Sequence, residues 1–476
     1  MLSQPARRSM LMTVFRRVAV ILGAWPVRTW ELEEAECSLG RLCRVSTAPS
    51  SPPSAPLPAE PDVAMTGAGT TGAAPVPADG GFPVVGIIGG GQLARMCQPP
   101  AVALSLTLSV LAESATASAA LVVPHSPVGE HTDVEAVREF ARHCDVVTFD
   151  HEHVPAEVLA ALEDDGVALH PSPRALVYAQ DKLAMRRRLT ELGLPCPRWA
   201  QARSAEEVER FAAEVGWPLV VKAPRGGYDG KGVQVCRSLA EVGPWLAGVG
   251  REGLVDGLLL EEVVGFTREL AVMVARSPSG QAAAWPVVET VQTDGICTEV
   301  LAPAPDLDDD LAVAATEGAL RLAGELGITG AFAVEMFEVT ATAADGTAYP
   351  TYLVNELAMR PHNSGHWTIE GSVTSQFEQH LRAVLDLPLG DPSARQAWTV
   401  MGNVLGGEHP DLYPTYRHLM ARDPGLKIHL YGKGVRPGRK LGHVTVFGGE
   451  GGPDQLAALR ERARHASDYL QGVIDE

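Results

Sequence analysis

The sequence predicts an α/β protein that passes into α+β along its length. Three observations carry this. Between Phe82 and Phe149 apolar strand-like runs alternate with helix-like stretches, the pattern of a parallel, doubly wound sheet. Further on, the runs 331–337 and 351–354 read as antiparallel neighbours carrying or leading into an acid each, Glu335 and Glu356. Between them and the first unit lies a stretch with four glycines in eight residues, 225–232, flanked by strands.

Composition narrows the function classes. At 476 residues the chain has room for two to four domains, and 46% hydrophobic against 20% charged residues makes most of it globular. A formal charge of −19 argues against nucleic-acid binding and against an anionic membrane surface, so an anionic substrate must be met by local basic clusters. The seven cysteines are dispersed and include no C-x-x-C pair. They read as reduced thiols of a cytoplasmic protein, neither a disulfide framework nor a zinc site. No apolar run reaches the length of a membrane-spanning helix.

The N-terminal arginines 7, 8, 16 and 17 and the apolar run 18–25 resemble a signal peptide only superficially, because no small-residue cleavage site follows and four glutamates come soon after. Residues 46–81 are rich in Ser, Thr, Ala, Pro and Gly and cannot bury a core. Residues 1–81 are therefore expected to be a disordered extension, with Met65 a plausible initiator.

The first unit, 82–180, opens with strand 83–88 and a glycine turn, Gly89-Gly90-Gly91-Gln92-Leu93-Ala94, into a helix. Such a turn brings backbone close to a ligand at a helix N-terminus, or is simply a tight connection. Strands over 106–111 and 145–149 and a helix over 133–143 complete the pattern. Asp150-His151-Glu152-His153 follows the third strand at the carboxyl edge, where open sheets bind ligands. The His-x-His pair lacks a third metal ligand, so Glu152 is the candidate there, as an acceptor for a substrate hydroxyl or amine.

A helix is expected from Asp181-Lys182 to Leu192, then a helix over 204–215 and a strand over 218–222. A lysine closing an apolar strand, Lys222, needs an anion within reach. The stretch Arg225-Gly226-Gly227-Tyr228-Asp229-Gly230-Lys231-Gly232 can fold backbone N–H groups over phosphates, although Lys231 is followed by glycine and this is no Walker loop. The strand 258–264 ends in Glu261, Glu262, Val263 and Val264; its free backbone groups beside an acid suit an adenine edge and ribose hydroxyls, with Glu269 close behind. Helices are expected over 309–326 and 372–385.

The richest stretch is 354–370, with Asn355, Glu356, Arg360, His362, Asn363 and His366. Too many polar groups crowd it for a core. Two acids facing each other across strands would repel unless a hard cation sat between them, and magnesium is commonly held by one or two carboxylates plus substrate phosphates. Otherwise Glu335 is solvated and Glu356 pairs with Arg360. In the last unit, 386–476, strands are expected near 426–430 and 443–447. Between them Lys433, Arg436, Arg439 and Lys440 among glycines and prolines form a trap suited to a phosphate monoester.

These motifs together resemble the N5-carboxyaminoimidazole ribonucleotide synthetase family of ATP-grasp carboxylases. The residues that carry the likeness are 86–93, 225–232, 355–368, 375–383 and 431–443. The resemblance implies a Rossmann-like pre-grasp domain, an ATP-grasp domain over 181–385 with lobes at about 181–266 and 267–385, a small C-terminal domain and a homodimer. It implies carboxylation of 5-aminoimidazole ribonucleotide with bicarbonate, driven by ATP. ATP would meet Lys182, Lys222, the loop 226–232, Glu261, Glu262, Val263, Val264, Glu269, Gln292 and Asn355. Magnesium, or manganese, would sit on Glu335 and Glu356. The substrate would meet Gln92, Leu93, Glu152 and Asn363, and its phosphate Lys433, Arg439 and Lys440. Arg360, His362 and Asn363 would surround the bicarbonate-derived species, with Tyr228, Asp229 and Lys231 closing over it. Ala94, Gln292 and Met359 depart from the family's commoner residues. A formate-using relative of the same fold, or a nucleotide-binding regulator without catalysis, are the alternatives.

Overall fold

Three parallel strands, β1 (Val84–Ile88), β2 (Thr107–Leu111) and β3 (Val146–Phe149), form the first sheet in the order β2-β1-β3. The computed structural model to which they belong describes residues 75–226, 232–407, 409–449 and 451–475. The extension up to residue 74 and the loop residues Gly227, Tyr228, Asp229, Gly230 and Lys231 lie outside the described residues. The strands are apolar almost throughout because both faces are covered. Since β1 lies between β2 and β3, the connections depart on either side of it, and their carboxyl ends open a crevice.

A second, antiparallel sheet has the order β4-β7-β5-β6, from β4 (Trp199–Ala202), β5 (Leu219–Lys222), β6 (Val233–Cys236) and β7 (Leu258–Glu262). The helices Ala205–Val215 and Leu239–Leu246 pack against it through Val208, Phe211 and Val242, onto Val221, Leu258 and Leu260. The expected strand 258–264 stops at Glu262. Its ladder partners end at Leu219 and Trp199, and Pro218 and Pro197 behind them offer no N–H to continue it. Val263 and Val264 are therefore left outside the ladder.

The third sheet has nine strands. Along it run β13 (Ala348–Ala358), β12 (Gly330–Thr342), β8 (Arg268–Arg276), β10 (Val288–Thr293), β11 (Ile296–Ala302), β14 (Trp398–Leu405), β16 (Lys440–Gly448) and β15 (Lys427–Leu430), with β9 (Ala282–Ala284) pairing β8. Glu269, close behind the expected strand 258–264 in the sequence, lies within β8. The strands near the C-terminus are not a separate sheet; β14 continues the ladder from β11. Helix Asp309–Glu325 buries Leu311, Ala315, Ala319 and Leu322, one stripe at helical spacing, into a core shared with Phe332 and Val334. The helix expected over 372–385 starts later, at Gln376, because the Ser375 hydroxyl caps it by accepting the Glu378 N–H. Among the described residues no helix is long and apolar enough to cross a membrane.

Candidate active site

A cavity of about 1060 Å³ opens between the second sheet, the third sheet and the carboxyl edge of the first. Glu335 on β12 and Glu356 on β13 stand directly opposite one another at its wall, with a β-bulge immediately after Glu335. The bulge breaks the alternation of the strand there. Both side chains are partly open to solvent, 30% for Glu335 and 42% for Glu356.

The cations around them differ from the simplest sequence expectation. Glu356 pairs with Lys182 at 3.0 Å, not with Arg360. Arg360 pairs with Glu152 at 2.7 Å, and the Met359 N–H also donates to Glu152. The Glu152 carboxylate is therefore already held by protein donors. Glu335 meets His362 Nε2 at 3.2 Å. Burial pushes the Glu335 carboxyl up, but His362, Lys440 and Arg360 outweigh it and hold the group below the usual range. Glu269 has no such help. Burial, then the charge on Glu335, pushes it up to about 7, only partly opposed by the Gln292 side chain.

Lys222 reaches the Glu261 carboxylate at 2.7 Å and Asn355 Oδ1 at 3.4 Å. The other oxygen of Glu261 takes Arg186 at 2.6 Å, and that guanidinium also donates to the carbonyls of Val354 and Asn355. Arg186 is fully buried and Glu261 is 2% exposed. Glu261 thus belongs to an internal charge network and Glu262 pairs with Arg198 at 2.7 Å, and both residues line the cavity. Val263 and Val264 line the cavity with their backbone free of the ladder. Lys182, Gly226, Gln292, Asn355, His362, Asn363 and Lys440 line it as well. Asn363 Nδ2 is buried there with no oxygen or nitrogen hydrogen-bond partner among the described residues. Gly232, at the far end of the glycine loop, has φ +76°.

The three cations expected to hold a phosphate are split. Lys440 faces the cavity, Lys433 bonds Gln92 Oε1 at the edge of the first sheet, and Arg439 donates to the Gly434 carbonyl. Leu93 is a core residue, 4% exposed, so its side chain makes no contact with the cavity. The first glycine turn is occupied by protein carboxylates. Gly90 N donates to Glu113 at 3.3 Å, and Ala94 N donates to Asp150 at 2.8 Å. A Cβ on Gly91 would lie 1.9 Å from the Asp150 carboxylate, so only glycine fits. Burial pushes Asp150 up to about 6. His151 and His153 stack on one another, with ring centroids 5.5 Å apart. No group of three or more potential metal ligands occurs among the described residues. Two carboxylates with hard oxygen donors fit a magnesium ion that completes its shell with phosphate oxygens and water.

Sequence reasoning missed Arg186, Asp150 and Gln376. Only the Lys182–Arg186 spacing, one helical turn on the same face, could have singled out the first.

Three family models match the chain: the ribonucleotide synthetase preATP-grasp domain over 83–180, the ATP-grasp domain over 187–377 and the phosphoribosylaminoimidazole carboxylase C-terminal domain over 399–452. The chain is 54% identical over 393 residues to the N5-carboxyaminoimidazole ribonucleotide synthase of Mycobacterium bovis, covering 82% of this chain and 88% of that one. It is 46% identical over 392 residues to the synthase of the same name from Corynebacterium ammoniagenes, covering 82% and 92%. The crystal structure of the Thermus thermophilus synthetase matches with a TM-score of 0.69 at 36% identity, over 82% of this chain and 99% of that one. The Aspergillus clavatus synthase in complex with ADP and 5-aminoimidazole ribonucleotide matches with a TM-score of 0.70 at 32% identity, over 82% and 98%. The two sheets about one cavity, and a relative 54% identical across 82% of the chain, lead to one conclusion: the chain belongs to the N5-carboxyaminoimidazole ribonucleotide synthase family of ATP-grasp enzymes.

Proposed function

We propose that this enzyme carboxylates 5-aminoimidazole ribonucleotide with bicarbonate at the expense of ATP, giving N5-carboxyaminoimidazole ribonucleotide, ADP and phosphate. The observation that carries the reading is the facing pair Glu335 and Glu356, set in a cavity that also presents Lys182, Lys222, Arg360 and Lys440. Adenine lies along the unpaired backbone of Val263 and Val264, and Glu269 and Gln292 take the ribose. Lys182, Lys222 and the loop 226–232 take the phosphates, with Asn355 holding the Lys222 ammonium. The units are 82–180, 181–385 and 386–476, preceded by the extension 1–81.

Glu335 and Glu356 would hold magnesium or manganese, which when bound offsets charge on the phosphates. Bicarbonate is a poor electrophile. Its oxygen takes the γ-phosphoryl group to form carboxyphosphate, while Lys182 and Lys222 offset the charge that moves onto ADP. Carboxyphosphate hydrolyses readily, so Tyr228, Asp229 and Lys231 are assigned to exclude water. The substrate amine then attacks the carboxyl carbon, the C–N bond forms, and phosphate leaves with the C–O electron pair and takes up the proton the amine gives up. Arg360, His362, Asn363 and Lys440 surround the carboxyl group, and Gln92, Leu93 through its backbone, Glu152, Lys433 and Arg439 take the ribonucleotide. A homodimer and a cytoplasmic location belong to this reading on the family likeness.

The test is ADP release with 5-aminoimidazole ribonucleotide present and absent. Stimulation that needs bicarbonate supports the proposal. A requirement for formate instead, or no stimulation, overturns it.

A further inference from the structure

We infer that Gln376 is a positioning residue, which sets where His362 and Asn363 stand in the cavity. The inference rests on the function proposed above. Gln376 is the first residue of the helix Gln376–Val384 and is fully buried. Its side-chain amide grips both backbone groups of one residue. The His362 N–H donates to Oε1 at 2.8 Å, and Nε2 donates to the His362 carbonyl at 2.9 Å. Because a backbone N–H can only donate and a carbonyl can only accept, the amide has one orientation. Its second N–H then points at His366 Nδ1, 2.9 Å away, so that nitrogen is bare and the His366 proton sits on Nε2.

The surroundings are shaped for this amide. A Cβ on Gly365 would come within 2.5 Å of Gln376 Oε1, so the approach needs glycine. The Gln376 N–H donates to Thr368 Oγ1 at 2.9 Å, and that hydroxyl donates to the Gly365 carbonyl at 2.6 Å. The whole turn from His362 to Thr368 is tied to one helix end. The His362 ring is set in the same way. The Ser364 N–H donates to its Nδ1 at 3.3 Å and the Ser364 hydroxyl stands 2.9 Å from the same nitrogen, with Nε2 3.2 Å from Glu335. Gln376 fixes the backbone and Ser364 holds the ring, and Gln376 itself is not among the residues that line the cavity.

The experiment uses Gln376→Met, which keeps the volume, Gln376→Glu, which keeps only the acceptor, and Gly365→Ala, which pushes the amide aside. In folded variants kcat falls roughly 10–100-fold, because a displaced His362 and Asn363 no longer hold the carboxylated species. The KM for ATP stays within about threefold, because the adenine contacts lie elsewhere. ADP formed per carboxylated product rises above one. Histidine-15N spectra of the unaltered protein show His366 as the Nε2–H tautomer, and Gln376→Met abolishes that lock. Unchanged kcat in folded Gln376→Met and Gln376→Glu overturns the proposal. So does a parallel rise in the KM for ATP, or His366 protonated on Nδ1 in the unaltered protein. If Gln376→Met fails to fold, Gln376→Glu and the His366 tautomer decide. The tautomer is measured without substrate, so it tests these bonds even where 5-aminoimidazole ribonucleotide gives no ADP release and the proposed function falls.

Discussion

Glu335 and Glu356 face each other in register, yet each is met by a different partner, His362 at 3.2 Å and Lys182 at 3.0 Å. Neither partner bridges the pair. Among the described residues no ion pair joins the two carboxylates to a common cation, and both are partly open to solvent. Replacing either by glutamine leaves the fold intact and removes one charge from the pair. E335Q and E356Q are each expected to lower substrate-stimulated ADP release by on the order of 10²–10³-fold and to raise the magnesium concentration needed. A steady-state assay with a magnesium titration checks this, and near-normal turnover of E356Q removes the metal role.

Glu269 makes the ligand-free protein sensitive to pH in a defined direction. Its carboxyl is pushed from 4.5 in the unfolded chain up to about 7 by burial and by Glu335. The folded state binds that proton more tightly, so stability is fully present below the lower value and declines as pH rises toward the upper one. E269Q removes the penalty. Its melting temperature is expected to match the parent near pH 5 and to exceed it by roughly 2–4 °C at pH 8. Thermal melts of the two proteins at both values test the sign.

The Arg186–Glu261–Lys222 network ties β7 and β5 of the second sheet to the β13 carbonyls beside Glu356. All of it is well buried, and removing one partner leaves charge behind. R186M is expected to cost about 3–5 kcal/mol in urea unfolding. A loss below about 1 kcal/mol, the range of surface ion pairs, shows that the network is not structural.

Gly91 lets the Asp150 carboxylate reach the Ala94 N–H at the start of the helix Gln92–Ala103. G91A must displace that carboxylate, and a loss of about 1–3 kcal/mol is expected in the denaturant midpoint. The KM for the ribonucleotide rises with it, because Gln92 moves too. A variant with the parent's stability shows that the contact is slack.

Much of the fold was legible because the signals were local. An acid in the middle of the apolar run 331–337 marked Glu335 as unusual, and the pairing with 351–354 placed Glu356 opposite it. The glycine turn after β1 was legible as a turn. What fills it was not, because Asp150 and Glu113 arrive from the ends of other strands. Arg186 was hidden in a run of three arginines that reads as a solvated helix face, and only the third dimension buries it. Gln376 was visible as part of a motif, but its role needs the loop it holds. β14 carried no signal distinct from its neighbours, so the continuity of the third sheet was missed.

That continuity has a consequence for any attempt to dissect the enzyme. β11 pairs with β14 over Glu299–Ala302, and Lys440 opens the next strand along. Truncating the chain ahead of β14 would leave β11 as a raw border of unmet amides and carbonyls, an invitation to self-association. It would also strip a cation from the reaction chamber. The carboxyl-terminal segment is thus a wall of the vessel, and shortening the protein from that end should cost solubility and chemistry together.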